Sequence, residues 1–196
     1  MLEMILLAAG AYLLGSVPFG VMITRLLKGI DPREHGSRNI GFTNVLRVAG
    51  WGPGLLTLIG DMGKGYLSVA VAQKAIGDER VMMMAGLASV LGHNYPLFLK
   101  LKGGKGVATG FGVLLGLMPL IGMITLILWG SVVGVWRFSS LGAIVCFILL
   151  PIIVLLFQRE ISYVIFAVVL SLMILIRHRS NIVRLRQGVE PKIGGS

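Results

Sequence analysis

Long apolar runs separated by short polar stretches set the pattern of this chain. The runs are continuous and do not alternate, which predicts helices and argues against a closed β-barrel. A helix crosses a bilayer with about 20 apolar residues. Seven membrane segments, spanning or embedded, are predicted at about 3–26, 52–73, 81–92, 106–118, 120–136, 140–157 and 161–176. The segment 106–118 is short for a full crossing, and Met118-Pro119 separates it from its successor. Gly15-Ser16-Val17-Pro18-Phe19-Gly20 interrupts the first run and predicts a kink, with Ser16 able to bond the freed backbone groups.

Composition supports this pattern. Hydrophobic residues make up 56% of the 196 positions and charged residues 13%, against about 25% charge in soluble domains. The expected fold is an all-α polytopic membrane protein with about seven transmembrane or membrane-embedded helices, in one domain over 1–196. The net charge of +10 would suggest nucleic acid in a soluble protein. Here it points to cytoplasmic loops, anionic headgroups or an anionic substrate. An outside N-terminus puts 25–51, 93–105, 136–140 and 177–196 in the cytoplasm, with basic residues from Arg25 to Lys192. The opposite loops then carry only Lys74, Arg80 and Arg159. The positive-inside rule favours this orientation, with the C-terminus cytoplasmic and the polar segments on one side. Cys146, the only cysteine, reads as a small apolar side chain.

Three polar segments, about 28–50, 93–106 and 177–192, carry the candidate chemistry. Lys102-Gly103-Gly104-Lys105-Gly106 has the make-up of an anion-binding loop, in which glycine backbone converges on an oxyanion and ammonium groups supply countercharge. Ser37, Arg38, Asn39, Thr43, Asn44 and Arg47 concentrate hydroxyls, amides and guanidinium groups suited to a phosphate and a polyol. A solvated loop explains that segment equally well. Asp61 and Lys64 share a helical face inside a span, as a structural pair or as part of a polar interior. His93 and His178 adjoin the lysine-glycine loop and the basic tail, and each is a candidate base or a structural hydrogen-bonder. There is no HExxH and no cysteine cluster, and no glycine stands five positions before Gly104. Neither metal nor nucleotide is therefore expected as a cofactor.

The motifs occur in a specific order. Gly15-Ser16-x-Pro18-x-Gly20 is followed by Ser37-x-Asn39-Ile40-Gly41-x-Thr43-Asn44 and Asp61-x-x-Lys64-Gly65. Then come Gly92-His93-x-x-Pro96-x-Phe98, Lys102-Gly103-Gly104-Lys105-Gly106-Val107-Ala108-Thr109, Ser140-Leu141 and Arg177-His178-Arg179-x-Asn181-Ile182-x-Arg184-Leu185-x-x-Gly188-x-Glu190. From about residue 15 to 190 the chain resembles the bacterial acyl-phosphate:glycerol-3-phosphate acyltransferase family (PlsY). It departs from the family pattern at Arg38, where glycine is usual.

The resemblance implies transfer of a fatty acyl group from acyl phosphate to the 1-hydroxyl of glycerol 3-phosphate, in phospholipid biosynthesis. It implies Lys102, Gly103, Gly104, Lys105 and Gly106 as phosphate ligands, with Ser37, Arg47, Lys64, Asn181 and Ser140 as further contacts; Arg38, outside the family pattern, would add an anion contact of its own. Asn39, Thr43 and Asn44 would shape the glycerol pocket. His93, His178 and Asn181 would be catalytic, unless a substrate phosphate takes the hydroxyl proton. The expected partners are glycerol 3-phosphate, acyl phosphate and membrane lipids, without nucleic acid or an obligatory protein partner. The expected location is the bacterial plasma (inner) membrane, with a cytoplasmic active site. Acyltransferases dependent on acyl-CoA or carrier protein carry H-x-x-x-x-D, which is missing after His35, His93 and His178. A transporter for a phosphorylated anion also suits short segments and intramembrane charge, although the chain shows no similar halves. A lipid-binding structural subunit would explain the charge but not the Ser/Asn/Thr/Gly motifs.

Overall fold

A computed structural model describes residues 1–158 and 160–194. Arg159, counted above with the opposite loops, lies outside the described residues. Among these residues the regular structure is helical, with ten α-helices and one 3-10 turn. They form two compact units, 1–117 and 118–196.

The first unit contains α1 (Leu2–Ser16), α2 (Phe19–Lys28), α3 (Phe42–Ala49), α4 (Trp51–Ala75), α5 (Glu79–Asn94), the 3-10 turn Leu97–Leu99 and α6 (Val107–Leu117). The first apolar run is interrupted where Pro18 cannot continue the hydrogen-bond ladder. Ser16 Oγ donates to the Tyr12 carbonyl at 2.9 Å, a local bond of the kind expected at that kink. The polar stretch 28–50 is not wholly loop, because it contains α3.

Helix α4 is the hub of this unit and packs against α1, α2, α3, α5 and α6. Its buried face is Pro53, Gly54, Thr57, Asp61, Lys64, Gly65, Ser68, Val69 and Ala72. Its exposed face carries Leu55, Leu56, Ile59, Leu67 and Val71. Small and polar residues therefore face inward and large apolar ones outward, the distribution expected when lipid is the solvent. The interior hydroxyls bond within the helix: Thr57 to the Pro53 carbonyl and Ser68 to the Lys64 carbonyl, both at 2.8 Å. Glycines permit the closest approach, since a Cβ on Gly65 would strike the Thr109 carbonyl and one on Gly112 the Met62 carbonyl.

The second unit contains α7 (Pro119–Trp136), α8 (Ser139–Phe157), α9 (Ile161–Arg177) and α10 (Arg179–Arg186). Helix α8 packs on α7 and α9. A 61° bend at His178 separates α9 from α10, so part of the basic tail is helical. The remaining tail returns to the α7–α8 turn, where Ile193 N donates to the Arg137 carbonyl at 2.7 Å and Arg137 Nη2 to the Ile193 carbonyl at 3.1 Å.

Among the described residues four stretches are long and apolar enough to cross a membrane: Leu2–Lys28, Trp51–Ala75, Pro119–Trp136 and Ser139–Phe157. The α9–α10 pair passes the same test only when its two bent helices are counted as one span. Helices α5 and α6, with 16 and 11 residues, reach about 24 and 16 Å at 1.5 Å per residue. Both fall short of a hydrocarbon core about 30 Å thick. The segment 106–118, short for a full crossing by sequence, is short as a helix too.

Candidate active site

The glycine loop of the first unit is built around the end of α5. Gly104 N donates to the His93 carbonyl at 3.0 Å. A Cβ on Gly103 would collide with that carbonyl and with Pro96, and one on Gly104 with Nε2 of the His93 ring. At Gly106, which has φ +83, a Cβ would meet Asn94 Oδ1 at 2.8 Å and Val90 at 2.9 Å. Three glycines of the loop are thus required by its wrap around His93 and Asn94. Directly after Gly106 the chain enters α6, with Gly110 N bonded to the Gly106 carbonyl at 2.7 Å. Flanking lysines, glycine backbone and the positive end of a helix together suit an oxyanion. Lys102 is exposed and Lys105 half-buried.

Beneath the loop lies a sealed charge cluster. Lys64 Nζ pairs with Asp61 Oδ1 at 2.8 Å and donates to the Val17 carbonyl at 2.9 Å. The cation therefore holds a carbonyl at the break between α1 and α2. It also lies 5.9 Å from the Phe19 ring centroid. His93 Nδ1 stands 3.4 Å from Asp61 Oδ1, and the His93 side chain is 4% exposed. Asp61 Oδ2, Asn94 Oδ1 and Thr109 Oγ1 are buried without a hydrogen-bond partner. Among the described residues no three His, Cys, Asp or Glu side chains are grouped to hold a metal.

The Ser37–Arg47 segment is organised by Asn44. Its Nδ2 reaches the carbonyls of Pro32 (2.8 Å), His35 (3.2 Å) and Asn39 (2.8 Å), and its Oδ1 accepts from Ser37 N at 2.8 Å. This buried amide holds the loop in shape. Asn39 Oδ1 accepts from Gly41 N at 2.9 Å at the start of α3. Thr43 and Arg47, four residues apart, share one face of α3. The Ser37 and Arg38 side chains are exposed. Arg38 has φ +58, a conformation that suits glycine and explains why glycine is usual in the resembling pattern. At the edge of this loop Asp31 binds Arg33 at 2.6 Å and Arg25 at 2.7 Å. The hydrogen bonds from Arg33 outweigh burial and hold the Asp31 carboxyl well below the usual carboxylate range.

In the second unit Ser140 and Asn181 meet at one carboxylate. Glu190 Oε1 accepts from Ser140 Oγ at 2.7 Å and Asn181 Nδ2 at 2.6 Å, and Oε2 accepts from Arg184 Nε at 2.7 Å. Burial opposes ionisation, yet these donors keep the Glu190 carboxyl below its usual value. His178 Nδ1 lies 2.8 Å from the Ile174 carbonyl. A carbonyl only accepts, so Nδ1 carries the hydrogen and Nε2 is the basic nitrogen of the neutral ring.

Sequence reasoning placed Ser140 and Asn181 in the site but gave Glu190 no role. A lone carboxylate after a basic helix was the available signal. The i,i+3 spacing pairs Asp61 with Lys64, but no local spacing signals the approach of Asp61 to His93.

The sequence model described as glycerol-3-phosphate acyltransferase matches residues 5–188. A glycerol-3-phosphate acyltransferase of Carboxydothermus hydrogenoformans is 47% identical over 192 residues, covering 97% of each chain. One from Nitrosospira multiformis is 44% identical over 198 residues, covering 98% of each. Among solved structures, the crystal structure of PlsY (YgiH), an integral membrane glycerol 3-phosphate acyltransferase, in its glycerol 3-phosphate form has a TM-score of 0.92. It is 39% identical, covering 98% of this chain and 96% of that one. The lysophosphatidic acid form of PlsY gives a TM-score of 0.90 at 38% identity, with the same coverage. With the match spanning nearly the whole chain, this protein belongs to the glycerol-3-phosphate acyltransferase family of integral membrane enzymes.

Proposed function

We propose that the protein moves a fatty acyl group from acyl phosphate to the 1-hydroxyl of glycerol 3-phosphate, giving lysophosphatidic acid and inorganic phosphate. The observation that carries this reading is the Lys102–Gly106 loop, with its two lysines, three glycines and direct entry into α6. The similar PlsY structures in glycerol 3-phosphate and lysophosphatidic acid forms support the substrate and product. The ordered motifs and the missing H-x-x-x-x-D support acyl phosphate as donor.

Acyl phosphate is a mixed anhydride with a good leaving group, so positioning and charge stabilisation supply much of the catalysis. The glycerol oxygen forms a bond to the acyl carbonyl carbon. The bond from that carbon to the phosphate oxygen breaks, and phosphate departs with its electron pair and finally carries the hydroxyl proton. Lys102, Lys105 and the 103–106 backbone neutralise phosphate. Ser37, Arg38, Thr43 and Arg47 contact glycerol 3-phosphate from a loop that Asn39 and Asn44 hold in shape. His178, Asn181 and Ser140 are further contacts, the last two oriented by Glu190. Lys64 and His93 are both packed into the interior, which favours support of the loop over contact with substrate. The whole chain is one acyltransferase domain in the bacterial inner membrane, with seven membrane segments, the N-terminus outside and a cytoplasmic site.

Purified protein given acyl phosphate and glycerol 3-phosphate should release inorganic phosphate. Turnover with acyl-CoA and none with acyl phosphate would refute the donor. Uptake of glycerol 3-phosphate into proteoliposomes without any donor would favour transport instead.

A further inference from the structure

Asp61 has no role in the reaction as read above, yet it is the carboxylate nearest His93. The glycine loop has few side chains of its own with which to pack, so its path depends on what it rests against. Those supports are the His93 carbonyl, bonded by Gly104 N at 3.0 Å, the His93 ring edge against Gly104, and the Asn94 amide against Gly106. Asp61 stands beside the ring, with Oδ1 3.4 Å from Nδ1. Asp61 is fixed by Lys64, whose ammonium also holds the Val17 carbonyl at the α1–α2 break. One set of contacts therefore runs from the broken first span through α4 and α5 to the loop.

We propose that Asp61 is a positioning residue of the acyl-transfer site: it sets the His93 ring against Gly104, and the ring fixes the path of the 102–106 loop. His93 then serves as the seat of the loop and not as the base. Its position agrees, since Nε2 abuts the Gly104 backbone and the side chain is 4% exposed, whereas a general base must reach the proton it removes. The inference rests on the reading of 102–106 as the phosphate-binding element.

The test compares Asp61→Asn/Lys64→Met with Asp61→Leu/Lys64→Met. Both remove the buried ion pair, so neither leaves a lone charge. Only the first keeps an oxygen acceptor beside His93. Amide hydrogen exchange over 102–107 and steady-state kinetics are read on both. The Leu/Met protein should exchange its loop amides about tenfold faster than the Asn/Met protein and show about tenfold higher KM for glycerol 3-phosphate, with kcat within about threefold. Equal exchange and equal KM would overturn the proposal.

Should the doubles fail to fold, His93→Asn against His93→Ala makes the same comparison from the other side. Asparagine keeps an N–H toward Asp61, so it should show the slower loop exchange and lower KM. Equal values again overturn the proposal, as does loss in both of kcat by about 100-fold or more, with a titrating limb of the pH–rate profile removed, the mark of a missing base. Wild-type turnover with acyl phosphate tests the underlying reading separately, because inactivity there leaves the exchange comparison intact.

Discussion

Two charge clusters in this protein use a carboxylate in opposite ways. In the first unit Asp61 and Lys64 have side chains 2% and 1% exposed, inside a span, and Asp61 Oδ2 has no partner. In the second unit Glu190 uses both oxygens to accept from three donors, one of them an Arg184 side chain that is 35% exposed. A sealed pair has no water to fall back on, so removing one member leaves a stranded charge. A cluster with a wet member can rehydrate, and its value lies in aiming the groups around it. Asp61–Lys64 is therefore a strut for backbone and ring, and Glu190 is an aiming device for Ser140 and Asn181.

The largest effect separates the two directly. Lys64→Ala should cost about 3–5 kcal/mol in detergent unfolding, because Asp61 is left buried and unpaired. Arg184→Ala should cost about 1 kcal/mol or less. Similar costs would erase the distinction. Next is Lys105→Ala, for which a folded protein with kcat/KM lowered about 100-fold is expected from loss of charge stabilisation. Its steady-state kinetics and unfolding together should show function lost with stability kept, unlike Lys64→Ala, in which stability falls.

A smaller effect is expected at Glu190. Glu190→Gln should cost about 1.5 kcal/mol through its charge-assisted bonds, read by unfolding at neutral pH. Because the folded carboxyl titrates below its ordinary value of 4.5, its contribution is complete above that pH. It fades as pH falls below 4.5 toward the depressed folded value. The stability difference between wild type and Glu190→Gln should therefore shrink in acid and not in base.

The smallest effect concerns Arg38 and its φ of +58. Arg38→Gly should relieve about 1–2 kcal/mol of left-handed strain and forfeit about 0.5–1 in chain entropy. A net gain of about 0.5–1 kcal/mol is expected, with KM for glycerol 3-phosphate raised several-fold by loss of the guanidinium. Unfolding and kinetics check each part.

Much of this was legible in the chain. Apolar continuity marks the spans, Pro18 marks the break between α1 and α2, and the i,i+3 spacing of Asp61 and Lys64 places them on one face. The remainder depends on contacts between residues far apart in sequence. Nothing local ties Glu190 to Ser140, fifty residues earlier, or Lys64 to the Val17 carbonyl. Helices α3 and α10 lie in stretches whose polarity reads as loop, because few of their side chains are buried: Asn44 and Val45 in α3 and Asn181 in α10. The glycines at 103, 104 and 106 suggested phosphate chemistry by composition. Their steric reason, the wrap around His93 and Asn94, is visible only in three dimensions.

The central claim is acyl transfer from acyl phosphate, and the most direct test is a dual-label balance on purified protein. Acyl phosphate labelled in the acyl chain and in the phosphorus is supplied with glycerol 3-phosphate. The account predicts one labelled lysophosphatidic acid for each labelled inorganic phosphate, and neither product forming at an enzyme-dependent rate without glycerol 3-phosphate. Phosphate released without acylated product, or acylated product formed only from acyl-CoA, would contradict it.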